Sequence, residues 1–177
     1  MKIRPISIVA PQVHLLNAGL LTRLFRPVGS VLSAVEPGDL LWVREPFVLA
    51  ARYDTISPSQ AERLGGAPVF TSDLDRKDRD LRKDGRTRNA RELLRIWHRQ
   101  HLRVTAVGRR PVQSLTLRDL QGQGYSLAES FAADWDRNLA LVRSAAGAGR
   151  WNENPEAIVL DFERIAGPVP AEGEMAA

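Results

Sequence analysis

The sequence predicts an α+β fold, a small β-barrel with flanking helices and one long basic loop insertion. Three observations point there. Short apolar runs bounded by turn residues recur through the first half of the chain. Leu127, Phe131, Trp135, Leu139 and Val142 recur at helical spacing, an apolar stripe that reads as core packing. Residues 157–162, Ala-Ile-Val-Leu-Asp-Phe, read as a last strand.

Each element follows in order. Residues 3–9 alternate enough for a first strand, and Pro11 suits the first turn of a short helix running to Leu20, with Val13, Leu16 and Leu20 on its inner face. Residues 22–26 are extended. Pro37, Gly38 and Asp39 specify a chain reversal, because proline presets φ and glycine accepts a positive φ at no steric cost. Leu40 to Val43 is then an apolar strand stopped by Pro46, and residues 48–53 are its antiparallel return. Ser-Pro, Gly-Gly, Ala-Pro and Asp-Gly breaks make residues 55–95 a long charged insertion with a helix near residues 59–64 and a helical turn over residues 89–96. Residues 101–107 alternate like a half-buried strand. Thr116 and Asp119 form a capping box, Gly122 or Gly124 ends that helix, and Ser126 caps a longer one.

The chain's 177 residues, 44% of them hydrophobic, suit one domain over residues 1–165. Residues 166–177 are small, proline-rich and acidic, and are expected to fray as a disordered tail. There is no cysteine, which rules out disulfides, thiolate zinc sites and a cysteine nucleophile. No run is long enough for a signal-peptide core or a bilayer span, so a soluble, cytoplasmic protein with no membrane partner is expected. The composition does not reveal the oligomeric state.

Charge is unevenly placed. Between Arg76 and Arg103 there are eleven Lys or Arg against four Asp or Glu, while the rest of the chain is slightly acidic. The partner this implies is anionic. All but Lys2, Lys77 and Lys83 of the basic residues are arginine, whose planar fork matches phosphate and base edges.

The ionisable candidates near a pocket are Arg26, Arg44, Glu45 and Tyr53. Arg26 and Arg44 suit a phosphate or a base edge, whereas Arg44 and Glu45 together also fit a plain solvated pair at a strand end. Trp42 and Trp97 are the aromatic candidates for stacking on an exposed base; Trp42, on a strand apolar on both sides, reads first as core, and Trp97, in the basic window, is the better stacking candidate. Arg86, Arg88, Arg95 and Arg99 are the phosphate-contacting candidates of the basic window. His98 and His101 raise metal or acid-base chemistry, but three residues apart on a strand they point to opposite faces, and with no cysteine or carboxylate set nearby no metal is expected. His14 reads as structural, and Asp134 and Asp136 as helix surface. Gly122 and Gly124 do not make a phosphate-cradling loop, which must follow a strand and open a helix. No cofactor is implied.

The ordered set of Ala18-Gly19-x-x-Thr22, Arg26-Pro27, Gly38-Asp39-x-Leu41-Trp42-Val43-Arg44-Glu45, Leu102-x-Val104-Thr105-x-Val107, Leu115-Thr116, Phe131-x-x-x-Trp135, Trp151-x-x-Asn154-Pro155 and Phe162-Glu163 resembles ASCH domains, particularly phage-associated members. It covers residues 3–165. The resemblance implies a PUA-like β-barrel, a fold whose relatives bind RNA, with enzymatic branches that are ribonucleases or amidohydrolases acting on acetylated cytidine. In the amidohydrolase branch the motif Gly-x-Lys-Thr-x-Thr-x-Arg supplies a lysine base and a threonine nucleophile, and a later glutamate shuttles a proton. Leu21 and Leu24 stand at the lysine and threonine positions here, only Thr22 and Arg26 keep the motif, and the glutamate position falls near Gln123.

The expectation is therefore a nucleic-acid-binding module, RNA favoured over DNA, using Arg26, Trp42, Arg44 and Glu45 together with Arg86, Arg88, Arg95, Trp97 and Arg99, without the family's catalytic residues. The alternatives are an RNA- or nucleoside-processing hydrolase with Glu45 as base, and a protein-interaction adaptor using the long loop.

Overall fold

A computed structural model describes residues 1–74, 83–139 and 149–169. The protein is α+β. Its strands are β1 (Ile3–Ser7), β2 (Arg23–Pro27), β3 (Leu40–Arg44), β4 (Phe47–Val48), β5 (Val69–Phe70), β6 (Gln100–Pro111) and β7 (Glu156–Ala166), and its α-helices are α1 (Ala10–Asn17), α2 (Pro58–Arg63), α3 (Leu117–Gln121) and α4 (Ala128–Leu139). Five strands form a sheet in the order β1-β3-β6-β7-β2, and β4 and β5 form a separate antiparallel pair. The larger sheet is mixed. Lys2 C=O accepts from Leu40 N–H and Arg44 C=O accepts from Ile8 N–H, which sets β1 parallel to β3, while β2 runs antiparallel to β7 with Phe25 opposite Val159.

The contacts divide the chain into two compact units. The first comprises Met1–Lys2, Leu15–Leu40 and Arg103–Arg164; the second comprises Ile3–His14, Leu41–Leu102 and the chain from Ile165 onward.

In the first unit, Phe25, Val112, Leu120, Phe131, Trp135, Ala157 and Val159 form the core, with Leu115, Tyr125 and Trp151 against it. Phe131 and Trp135 occupy the stripe expected of them, but Leu127 precedes α4 and is 58% exposed, and Val142 lies outside the described residues. Thr116 caps α3 through the expected capping box with Asp119, and Gly122 closes that helix. Asn154 takes a left-handed conformation, φ 51°, and its Oδ1 accepts from Gln113 N–H while Pro155 C=O accepts from Val112 N–H. The Pro37-Gly38-Asp39 turn closes as expected, with Gly38 at φ 90°. Burial alone would raise the Asp39 pKa, but hydrogen bonds from the Lys2 and Glu36 amides and the charge of Lys2 outweigh it and hold the carboxyl below its ordinary range.

The second unit departs furthest from expectation. Residues 48–53 do not continue as a return strand: β4 ends at Val48, and Ala51–Tyr53 is a 3-10 turn. The strand partner comes instead from the insertion, where β5 pairs with β4, and single bridges join Phe47 to Arg88 and Ala50 to Asp84. The segment expected to be a long loop carries half of a core, made of Phe47, Leu49, Tyr53, Ala61, Phe70 and Leu93, with Ile56 and Trp97 at its margin. Charge density concealed this, because the apolar anchors of the insertion, Ala61, Phe70 and Leu93, are far apart in the chain and no periodic run announces them. The centre of the insertion, residues 75–82, lies outside the described residues.

Three smaller corrections follow from burial. Leu20 lies beyond α1 and is 64% exposed, because the helix ends at Asn17 and Gly19 turns with φ 71°. In β6 the buried positions stop at Val104, and Val107 is exposed. The expected tail does not begin at 166: β7 runs through Ala166, and Val169 is buried. Residues 170–177 lie outside the described residues. No described helix is long and apolar enough to cross a membrane.

Candidate functional site

Glu45 directly follows β3, which ends at Arg44. The two do not form the solvated pair that their adjacency suggests. Glu45 is 1% exposed, and its Oε1 accepts from Arg99 Nε at 3.1 Å and Gln100 Nε2 at 2.8 Å. Its Oε2 accepts from Arg99 Nη2 at 2.8 Å and Ser72 Oγ at 3.3 Å. Arg99 is held further by Asp73, 2.5 Å from Nη1, and lies 4.1 Å over the Phe70 ring. Burial would lower the Arg99 pKa, but its bonds to Glu45 and Asp73 reverse the shift and keep it above the ordinary arginine value. Glu45 is thus a saturated structural anion, and Arg99 its counter-ion.

Arg44 is in the opposite condition. Its guanidinium carbon lies 5.5 Å from the Trp42 ring centroid, its Nε is buried without a hydrogen bond, and no carboxylate among the described residues pairs with it. Burial first, and the like charge of Arg91 second, push its pKa below the usual value. Arg91 is exposed on the 3-10 turn Ala90–Glu92, which a capping box between Asn89 and Glu92 fixes, and its guanidinium has no partner among the described residues. Arg95, also exposed and without a side-chain partner among the described residues, opens the next turn, Arg95–Trp97.

Trp42 is half-buried, and the His98 ring packs on it at 5.6 Å and 56°. His98 is 7% exposed. Its Nε2 accepts from Val169 N–H at 2.7 Å, which requires the proton on Nδ1, and that Nδ1–H donates to the Arg95 carbonyl. Burial lowers the His98 pKa; the Arg95 carbonyl opposes the shift, and the charges of His101 and Arg95 add to it. His101, 3% exposed, meets the Gly167 carbonyl at 3.1 Å through Nδ1. Strand alternation had separated these two histidines, yet both reach residues 167–169, because His98 precedes β6 and is not subject to the strand period. Among the described residues no group of three metal-ligating side chains forms.

The other candidates divide by pairing. Arg88 is 1% exposed, its Nη2 donating to the Tyr53 and Ile56 carbonyls at 2.6 and 2.9 Å and its Nη1 lying 3.4 Å from Glu92, so it braces the turn after Ala51–Tyr53. Arg86 is exposed, 4.0 Å from Glu92. Trp97 meets Phe47 edge-on at 5.9 Å and belongs to the margin of the core. Tyr53 is buried, its hydroxyl donating to the Leu64 carbonyl.

Arg26 belongs to the first unit, half-buried with its Nη1 donating to the Phe25 carbonyl, and burial lowers its pKa. The Gly19 to Thr22 segment, with Leu16, Asn17, Phe162 and Glu163, lines an open cleft of about 590 Å³ in that unit. Leu21 and Leu24, at the base and nucleophile positions of the amidohydrolase motif, are 2% and 0% exposed. Gln123, at the glutamate position, is buried and accepts from Phe25 N–H.

What sequence reasoning missed is Arg91, which the count of the basic window included without distinguishing it. The Asn89-x-x-Glu92 capping box was the available signal, since it fixes the turn that carries the arginine. Comparison of the chain with protein families, with curated proteins and with solved structures finds no match.

Proposed function

We propose that the protein is a nucleic-acid-binding module, RNA favoured over DNA, whose contact face is Trp42, Arg44, Arg91 and Arg95. One observation carries this reading: Arg44 lies over an aromatic ring beside a second arginine, with no carboxylate among the described residues to neutralise either. A stacked Trp-guanidinium pair presents a flat surface for a base, and unpaired guanidiniums suit phosphate. The ASCH resemblance belongs to the same proposal, as does closure of the five-stranded sheet into a PUA-like barrel, and the preference for RNA rests on it.

A hydrolase is not favoured. Glu45, its named base, has both oxygens filled by Arg99, Gln100 and Ser72, and the two leucines at the motif positions are core. The adaptor reading depends on the insertion centre, outside the described residues.

Fluorescence anisotropy with a labelled single-stranded RNA, over a salt series, tests the proposal. Affinity should fall steeply with salt, and R44A and R91A should each flatten the log-log slope by about 0.7. Binding that ignores salt, or is absent, removes it.

A further inference from the structure

The chain past β7 is fastened by three hydrogen bonds to the start of β6 and the turn before it. Gly167 N–H donates to the Arg99 carbonyl at 2.8 Å, the Gly167 carbonyl meets His101 Nδ1 at 3.1 Å, and Val169 N–H donates to His98 Nε2 at 2.7 Å. Val169 is 8% exposed and Gly167 turns with φ 95°. Of these bonds, the Val169 one depends on a single protonation state. A proton on Nε2 converts the acceptor into a donor facing another donor, so the bond is lost and two N–H groups oppose each other. Nδ1 cannot relieve the conflict, because its proton already goes to the Arg95 carbonyl.

The surroundings of the ring give this proton a second consequence. The groups facing His98 are Arg95 on its own turn, His101 on β6, the neutral Trp42 ring on β3 and the uncharged strap 167–169. Among the described residues no carboxylate faces the ring to stabilise an imidazolium, and an arriving phosphate would. The same ring packs on Trp42, which carries Arg44.

We propose that His98 is a proton-operated latch: protonation at Nε2 releases residues 167–169 and adds a cation to the Trp42–Arg44 face, tightening its hold on RNA phosphate. The half concerning RNA rests on the function proposed above; the half concerning the strap does not. The direction follows from the depressed His98 pKa. Above the ordinary histidine value the latch is closed, and it opens as pH falls through the lowered value, while bound phosphate moves the opening back toward neutrality.

The test measures amide hydrogen exchange of Val169 and RNA affinity from pH 8 to about pH 5, the window in which a histidine titrates. The Arg88 amide, bonded to the Phe47 carbonyl in the same unit, reports general opening. Val169 protection should hold at high pH and then fall about tenfold per pH unit, one proton's linkage, while Arg88 protection stays level. RNA affinity should rise about fivefold over the same range, as for one added phosphate contact. H98Q, whose side-chain oxygen can accept the Val169 N–H without titrating, should flatten both profiles. Ring-nitrogen NMR of the unmodified protein should show the Nδ1–H tautomer, which keeps the proposal falsifiable if H98Q does not fold. Val169 protection independent of pH, or an Nε2–H tautomer at neutral pH, overturns the latch. A titrating Val169 with RNA affinity that does not follow overturns the coupling. A titrating Val169 with no RNA binding at any pH removes the functional reading and leaves the strap latch standing.

Discussion

Two corners of the second unit hold arginines from opposite electrostatic circumstances. Arg99 is gripped by Glu45 and Asp73 and lies on Phe70; Arg44 lies on Trp42 with no anion among the described residues and an orphaned Nε. Both stack on a ring, and both are partly buried. The difference is the counter-charge, and it shows that a local excess of positive residues does not locate a binding face. Arg88 and Arg99 count toward the basic window as fully as Arg91 and Arg95, yet only the latter pair is left unneutralised among the described residues.

The largest effect that could break this comparison belongs to the neutralised corner. E45A removes one of the two carboxylates that hold Arg99 and an acceptor of the buried Gln100, and should cost about 3 kcal/mol in urea unfolding, with the RNA salt slope unchanged. A flattened slope in that variant would put Glu45 in the binding face. R88M should come next, losing about 2 kcal/mol because the Tyr53 and Ile56 carbonyls lose their donor, again without altering the slope.

The uncompensated corner should behave in the reverse way. R44A and R91A should each weaken RNA binding about tenfold, roughly 1.4 kcal/mol, and leave unfolding within about 0.5 kcal/mol of the parent. Loss of stability without loss of affinity would mean that Arg44 is a packing residue. The smallest effect is a control in the first unit. Burial, and then the hydrogen bond to Asp134, push the Tyr125 hydroxyl up to about 12. Its contribution to stability is therefore intact below pH 10 and lost as pH rises through about 12, readable as late tyrosinate absorbance with RNA contacts unaffected.

Much of the local structure was legible, because it rests on chemistry a few residues apart. The Pro37-Gly38 turn, the Thr116 capping box and the β7 strand each follow from residues close to one another in the chain. Arg88 and Glu45 were misread for the complementary reason. Their burial is decided by Tyr53, Ile56, Arg99 and Gln100, partners far along the chain that no local pattern announces. The histidine reading failed at a boundary, since alternation applies only inside a strand and His98 stands just before one.

By itself the sequence determined the Pro37-Gly38-Asp39 turn, the strands β3 and β7 and the capped start of α3, and that the positive excess lies between Arg76 and Arg103. Only the tertiary structure decided which of those charges are cancelled, and that a histidine would hold the chain after β7. Propensity and capping act within a turn or two of backbone, whereas charge pairing and burial depend on residues brought together across dozens of positions.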